Sequence, residues 1–403
     1  MGRLVMSTEE RLLRSLIGVA PRRAAEAHLV PGWFAQSSPD VLRTTFARDR
    51  LVPLAGGRLR DTLGEAAPDW LHAWVDGHTA AARAHGERHE LLELLVFGTL
   101  RQAGIAALPL KGTRVARDIH GDLALRSAGD IDVLVSARQL RAAADALVAA
   151  GWSPPGDPVD RDGLPLLHFV LRHPDGLPAV ELHWRIHYHE REWASGVLAR
   201  AAAAPGGEPE PPPGEWLALL LLMHIRDGAN NLRLAGDIAG WWDRFGDGPM
   251  HDALAAVRTT PALLPAFVTA AVAADRGVGL PAERVLGLTT ESPGCSRLEV
   301  RFATVPLAVT ESQRDAERRL ADHLVAPRSQ ALPAVRRQVL PNPAMSRYLR
   351  PHVADRPARL AADVALTTAM VPVRAAIAGL RLRGSAVATP LERFVEGMRD
   401  DVR

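Results

Sequence analysis

Two aspartates, Asp130 and Asp132, lie two residues apart in the segment DIDVLV. The β-branched residues of this segment predict a strand, in which residues i and i+2 point to the same face. Two carboxylates placed that closely repel each other unless a cation lies between them. Oxygen ligands of this kind favour Mg²⁺ or Mn²⁺. The pair therefore indicates a divalent-metal site, while a solvated strand end with two surface aspartates is the simpler alternative.

A third carboxylate, Glu181, occurs in the segment VELHW, which also predicts a strand. If this strand neighbours the first, Glu181 completes a set of three metal-ligating carboxylates with Asp130 and Asp132. His183 lies two residues beyond Glu181 and shares its face. It is expected to orient Glu181 or to be a core histidine.

A single lysine, Lys111, stands among 48 basic side chains, so 47 are arginine. Lysine is a compact point charge and arginine a planar fork, so this position is one where arginine would not serve. A predicted strand over 105–110 runs into Lys111, Gly112 and Thr113, with a helix expected next. Such a turn offers backbone N–H groups, a hydroxyl and a positive charge to a phosphate. Arg126, in the loop before Asp130, is expected to contact a phosphate as well.

The overall composition is that of an ordinary globular chain, with 403 residues, 47% hydrophobic residues, 23% charged residues and a net charge of +2. This excludes a disordered or fibrous protein and a strongly basic nucleic-acid surface across the whole chain. The one cysteine, Cys295, excludes an intramolecular disulfide framework and a cysteine-rich zinc site.

The predicted elements divide the chain by character. Strand candidates at 105–110, 130–135, 168–172 and 179–185 interleave with helix candidates at 113–120 and 137–150, which is typical of a small α/β unit. Apolar spacings of three and four predict helices before and after it. The expected organisation is a helical N-terminal region (1–88), an α/β core (89–203), a proline-rich linker (204–214), a helical C-terminal domain (215–326) and a helical C-terminal extension (327–403).

The order of these motifs resembles a known family. Leu110-Lys111-Gly112, then the DIDVLV strand and a helix, then VELHW, is similar to the nucleotidyltransferases of the polymerase-β superfamily. It is closest to the bacterial group described only as uncharacterised nucleotidyltransferases. Segments near 224, 234–237 and 340–350 are more weakly similar. The resemblance implies an α+β fold, with a small mixed-sheet nucleotidyltransferase core flanked by helical regions.

The resemblance also implies a mechanism. Asp130 and Asp132 would hold two Mg²⁺ (or Mn²⁺) ions on a nucleoside triphosphate such as ATP, with Glu181 sharing one of them. An acceptor hydroxyl would attack the α-phosphorus in line and release pyrophosphate. Lys111 and Arg126 would neutralise the triphosphate. Gly112 would allow its close approach and Thr113 would donate it a hydrogen bond; the family usually has Gly-Gly or Gly-Ser where Gly112–Thr113 stands here.

Three further residues are expected near this site without a defined role. His183 and His224 are candidates for supporting contacts, and Asp237 is expected to brace the helix that begins near Ala235. His183, His187 and His189 match no standard zinc spacing, so the sequence predicts no zinc site there.

The acceptor is not readable from the sequence. A small molecule, a natural product or a protein side chain is expected, and the near-neutral charge disfavours a long nucleic acid without excluding one. Two alternatives stay open: a toxin-like nucleotidyltransferase acting on tRNA, and a non-catalytic nucleotide-binding scaffold. No signal segment or membrane span is apparent, so a cytoplasmic protein is expected.

Overall fold

The computed structural model describes residues 6–203 and 209–287, residues 318, 321–330 and 332–334, and two isolated positions, 365 and 376. The start of the predicted linker (204–208), the segment at 340–350 and nearly all of the predicted extension (327–403) lie outside the described residues.

Helices come before and after the strands along the chain. Ser7 caps the first helix, because its hydroxyl accepts a hydrogen bond from the Glu10 N–H at 3.1 Å. The α-helices are α1 (Thr8–Ile17), α2 (Ala20–Glu26), α3 (Val30–Gln36), α4 (Pro39–Arg48), α5 (Gly57–Leu63), α6 (Asp69–Gln102), α7 (Thr113–Asp118), α8 (Leu140–Ala149), α9 (Trp193–Ala203), α10 (Pro213–Arg226), α11 (Leu232–Phe245), α12 (Gly248–Arg258), α13 (Leu264–Val278) and α14 (Ala282–Leu286).

Four strands form one mixed sheet in the order β1-β2-β4-β3. The two central strands, β2 and β4, are parallel, and each pairs with an antiparallel outer strand. The strands are β1 (Ala107–Pro109), β2 (Asp130–Val135), β3 (His168–Leu171) and β4 (Ala179–His183). The predicted α+β class, with a small mixed sheet flanked by helices, is confirmed, although three of the four strands are shorter than the sequence pattern predicts.

Alternation along the strands divides the sheet between two hydrophobic clusters. Ile131 and Val133 of β2 face a cluster that also contains Val96 of α6, Leu147 of α8 and Leu182 of β4. The intervening residues of β2 and β4 point to the opposite face, where the helices that follow β4 pack. The polar residues of both central strands therefore point toward those later helices.

The larger cluster joins the beginning and the later part of the described chain. Leu13 of α1, Leu59 of α5, Leu108 of β1, Leu220 of α10 and Phe267 of α13 all belong to it and are fully buried. Burial of each such side chain stabilises the fold by about 1.5–3 kcal/mol. The N-terminal and C-terminal helices thus share a core, and the predicted domain boundaries stay a prediction.

Two details differ from the sequence expectation or bear on it. Helix α10 begins at Pro213, inside the segment predicted as a linker, because proline is well suited to a first helical turn. Within the described residues, no single helix is long and apolar enough to span a membrane, and α12 together with the 261–278 segment passes that test only as a pair bent by 117°.

Candidate active site

The three predicted carboxylates converge on one face of the sheet. Asp132 of β2 lies directly opposite Glu181 of the parallel strand β4, and Asp130 precedes Asp132 on the same face. One oxygen from each of the three carboxylates lies within 4.8 Å of the others. Asp132 is buried, whereas Asp130 and Glu181 are partly exposed. The group is therefore open to solvent on one side and closed behind Asp132.

Lys111 faces this group. Its Nζ lies 2.9 Å from Asp132 Oδ2 and 3.6 Å from Asp130 Oδ2. Burial opposes the charge on Lys111, but the carboxylates of Asp132, Asp130 and Glu181 outweigh it and raise the pKa of the ammonium group. Lys111 therefore stays charged beside the three carboxylates. The same ammonium helps to hold the pKa of Asp132 well below its usual range, against the effect of burial.

His183 lies between two of the carboxylates. Its Nε2 is 3.1 Å from Asp132 Oδ1 and 3.3 Å from Glu181 Oε2. Burial disfavours the imidazolium, yet these two carboxylates raise the pKa of His183 above its ordinary value. The structure therefore brings His183 together with Asp132 and Glu181, as their shared strand face predicts.

In the turn predicted to bind phosphate, a glutamate side chain accepts the hydrogen bonds that were expected for a phosphate. Glu93 of α6 accepts the backbone N–H of Thr113 at 3.1 Å and also accepts its hydroxyl. Gly112 has φ +84°, a conformation that favours glycine, and a Cβ built there would clash with Glu93 Oε1. His89 flanks Glu93 on the same helix, with Nε2 3.3 Å from Oε1. The backbone N–H and the hydroxyl of Thr113, which the sequence predicts as donors to a phosphate, thus both donate to the Glu93 carboxylate.

Arg126 also has a protein partner. Its Nε donates to Asp237 Oδ2 at 2.9 Å, and His120 Nε2 lies 3.0 Å from Asp237 Oδ1. All three side chains are almost completely buried. Asp237 lies inside α11, whose first turn is capped by the Asn231 side chain. Through its contact with Arg126, Asp237 ties α11 to the loop before β2. The expected phosphate contact of Arg126 stays a prediction.

His224 is separate from these groups. It lies on α10 and is buried, and its Nδ1 has no hydrogen-bond partner among the described residues. Burial lowers the pKa of His224 to about 4, so the ring is neutral at pH 7. No contact in the described part of the chain joins it to the carboxylates.

A cleft of about 460 Å³ opens beside Asp130. Its walls carry several arginines, which are Arg48, Arg50, Arg233 and Arg318. Arg50 adopts φ 56°, a left-handed conformation that is strained for a residue with a Cβ and that is enriched at functional sites. Arg233 donates to the Ser127 carbonyl at 2.8 Å, in the loop that leads into β2. Asp227 also lines the cleft. Burial opposes its charge, but Arg226 and, to a smaller extent, Lys111 lower the pKa of Asp227.

The family model described as uncharacterised nucleotidyltransferase matches residues 36–276, more than half of the chain. The chain belongs to the uncharacterised nucleotidyltransferase family. No curated protein and no solved structure matches it. The matched range contains Lys111, the three carboxylates and the arginine-lined cleft. Membership in this family confirms the resemblance to the uncharacterised nucleotidyltransferases and supports a transferase of this kind.

The donor set fits the divalent ion that such nucleotidyltransferases usually need. Asp130, Asp132 and Glu181 offer three carboxylates within reach of one another, and hard oxygen donors suit Mg²⁺. Their combined negative charge exceeds what Lys111 neutralises, which leaves the group suited to a cation. The residues present therefore fit Mg²⁺ at this position.

Four residues in or near this site were not expected from the sequence. Glu93 belongs to a helix twenty residues before the turn it supports. Arg50 and Asp227 come from distant loops. His168 of β3 pairs with His183 across the antiparallel β3–β4 ladder, with ring centroids 4.6 Å apart. Only His168 had a local signal, since it begins a predicted strand, but its neighbour depends on strand register.

Proposed function

We propose that this protein is a Mg²⁺-dependent nucleotidyltransferase that moves a nucleoside monophosphate from a triphosphate to an acceptor hydroxyl. The observation that carries this proposal is the convergence of Asp130, Asp132 and Glu181 from two parallel strands in front of Lys111. The family match supports nucleotidyl transfer in general. The Mg²⁺ dependence, the triphosphate substrate and the acceptor hydroxyl go beyond the family match and are part of our proposal.

The three carboxylates would hold Mg²⁺ against the phosphates. When bound, Mg²⁺ neutralises triphosphate charge and lowers the pKa of the acceptor hydroxyl. In the transfer step, the acceptor oxygen would give its proton to water and bond to the α-phosphorus, while the bond from that phosphorus to the bridging oxygen breaks and pyrophosphate leaves with its electron pair. His183 would hold Asp132 and Glu181 in place, since its Nε2 lies within 3.3 Å of both.

Positive charge for the triphosphate would come from the side chains that face the open side of the site. Lys111 lies beside Asp130 and is kept charged by the carboxylates. Because Arg126 is engaged by Asp237 and Thr113 by Glu93, we add the cleft arginines, chiefly Arg50 and Arg233, to the predicted phosphate contacts. In this arrangement Gly112 and Thr113 shape the turn that positions Lys111.

The test is incubation of the purified protein with each of the four α-labelled nucleoside triphosphates and Mg²⁺, with and without cell extract. Transfer of label to a small molecule, to protein or to tRNA identifies the acceptor class, and the labelled nucleotide identifies the base preference. Label on the protein itself would indicate self-modification.

A matched pair of variants links the activity to the site. Asp130→Asn removes one carboxylate of the group, and Asp145→Asn makes the same change on the exposed side of α8. The proposal requires that the first variant loses transfer and that the second retains it. Tight triphosphate binding by the wild type without pyrophosphate release would instead support a nucleotide-binding scaffold.

A further inference from the structure

Behind the carboxylate group, two histidines and Glu181 form a second cluster. His168 begins β3 and lies opposite His183 at the end of β4, and Glu181 precedes His183 by two residues on the same face. The three side chains therefore come from two strands whose register is fixed by their hydrogen-bonded pairing. A cluster held this way is preorganised by the sheet.

The distances in this cluster are those of a metal site. Glu181 Oε2 lies 3.3 Å from His183 Nε2 and 4.0 Å from His168 Nδ1, and the three ligand atoms lie within 4.8 Å of one another. Ligand atoms at about 2.0–2.2 Å from a tetrahedral cation are about 3.4 Å apart. Small side-chain rotations of His168 thus suffice to complete the triad.

Two imidazole nitrogens of the cluster, His168 Nδ1 and His183 Nδ1, lack a hydrogen-bond partner among the described residues. His168 Nδ1, which faces Glu181, is buried and has no hydrogen-bond partner among the described residues. A buried polar atom in that state destabilises the fold unless something satisfies it. A cation bound between His168 and Glu181 would satisfy this nitrogen.

We propose that His168, Glu181 and His183 bind a divalent transition-metal ion of the Zn²⁺ or Co²⁺ type, which takes the place of the Nε2 proton that His183 shares with its carboxylate neighbours. Imidazole nitrogen with one carboxylate favours these ions over Mg²⁺, which prefers oxygen ligands and keeps its water. The site is adjacent to the proposed Mg²⁺ position and shares Glu181 with it. Asp132 Oδ1, 3.1 Å from His183 Nε2, is the nearest further oxygen donor.

This second ion would fix the orientation of Glu181. Asp130, Asp132 and the second oxygen of Glu181 would then hold the Mg²⁺ that accompanies the nucleotide. The inference does not depend on nucleotidyl transfer, because metal binding by the triad needs neither nucleotide nor acceptor.

The experiment is a titration of the metal-stripped full-length protein with Co²⁺ in the presence of excess Mg²⁺, followed by visible absorption and by calorimetry. Excess Mg²⁺ competes for the all-oxygen group and leaves the histidine triad to Co²⁺. The variants are His168→Ala, His168→Gln, Asp130→Asn and, as a matched control, His28→Ala, since His28 is exposed and belongs to no such cluster. Circular dichroism confirms that each variant folds.

The wild type is expected to bind one equivalent of Co²⁺ with the visible band of a nitrogen-ligated ion. Both His168 variants should weaken binding by more than the roughly 10–100-fold caused by loss of a group that only contacts a ligand. Asp130→Asn and His28→Ala should bind as the wild type does. Wild-type affinity in the His168 variants, or loss of the band in Asp130→Asn alone, would assign the ion to the carboxylates and overturn the proposal, as would the absence of saturable binding.

Discussion

Two buried aspartates in this protein have similar partners and opposite surroundings. Asp237 has Arg126 on one oxygen and His120 on the other, and all three groups are enclosed between α11 and the loops around α7. Asp132 likewise has Lys111 on one oxygen and His183 on the other. Beside Asp132, however, lie two more carboxylates, Asp130 and Glu181, whereas Asp237 has no second acid in its cluster among the described residues.

The difference separates a structural ion cluster from a site built to bind something. Around Asp237 the charges are matched within the protein, so the cluster ties elements together and requires nothing from solvent. Around Asp132 the acids outnumber the cations and the group opens to a cleft, so its charge is completed from outside. The pKa of both aspartates is lowered by their partners against the effect of burial, so a shifted pKa alone would not tell them apart.

The largest expected effect is on turnover in Asp132→Asn. The substitution removes a metal ligand and conserves side-chain volume, so we expect transfer of the α-labelled nucleotide to fall by about 10³-fold or more, about 4 kcal/mol in barrier. The free energy of unfolding, from urea titration, should change by no more than about 1 kcal/mol, because Lys111 keeps Asp130 and His183 keeps Glu181 as a countercharge. Turnover at the wild-type rate would contradict the metal assignment.

Asp237→Asn should show the reverse pattern. It leaves the buried guanidinium of Arg126 without a countercharge, which we expect to lower the free energy of unfolding by about 3 kcal/mol. Activity per folded molecule should stay close to that of the wild type when assayed well below the melting temperature. An unchanged urea midpoint would show that Arg126 and Asp237 are not the structural pair that the contacts indicate.

Lys111→Arg tests whether the ammonium group itself matters. A planar guanidinium cannot occupy the narrow space 2.9 Å from Asp132 Oδ2 and 3.6 Å from Asp130 Oδ2 in the same way. We expect kcat/KM for the triphosphate to fall by about 10–100-fold, or about 1.4–2.7 kcal/mol. The reciprocal control is Arg141→Lys on the exposed side of α8, which should have no effect. Equal kinetics for Lys111→Arg and the wild type would mean that any cation serves there.

The smallest expected effect concerns His224, a buried group that belongs to neither cluster. Its pKa is about 4 in the folded state because of burial, compared with about 6.5 in the unfolded chain. The unfolded state therefore binds the proton first as the pH falls, and the folded state loses stability between pH 6.5 and 4. We expect His224 to account for about 2 kcal/mol of the loss between pH 7 and 5.

Urea titrations at both pH values measure this contribution. His224→Gln should reduce the pH-dependent loss by that amount, while His28→Gln, at an exposed position, should leave it unchanged. A His224→Gln variant with the same pH slope as the wild type would place the proton uptake elsewhere.

Much of the site was predictable because strands have a period of two. That period alone places Asp130 with Asp132, and Glu181 with His183, on common faces, and parallel pairing of β2 with β4 brings the two faces together. The unusual lysine was equally readable, since it is a property of composition. The small α/β unit followed from the alternation of short strands and helices, and the α+β class from the family resemblance.

The contacts that the sequence did not reveal all join elements whose packing no local pattern encodes. Arg126 and Asp237 are separated by 111 residues, and each alone is compatible with an exposed or a buried position. Glu93 reaches the Thr113 turn only because α6 passes beside it. Periodicity indicates which face of an element is polar, but the partner of that face depends on tertiary packing.

The solitary lysine also makes the chain addressable by covalent chemistry. An endoprotease specific for lysine has one peptide bond to cut, Lys111–Gly112, and an amine-directed reagent has one side chain to modify. Either reaction reports directly on access to the mouth of the site. Protection of Lys111 by an added compound would therefore serve as a binding assay for candidate substrates before any product is known.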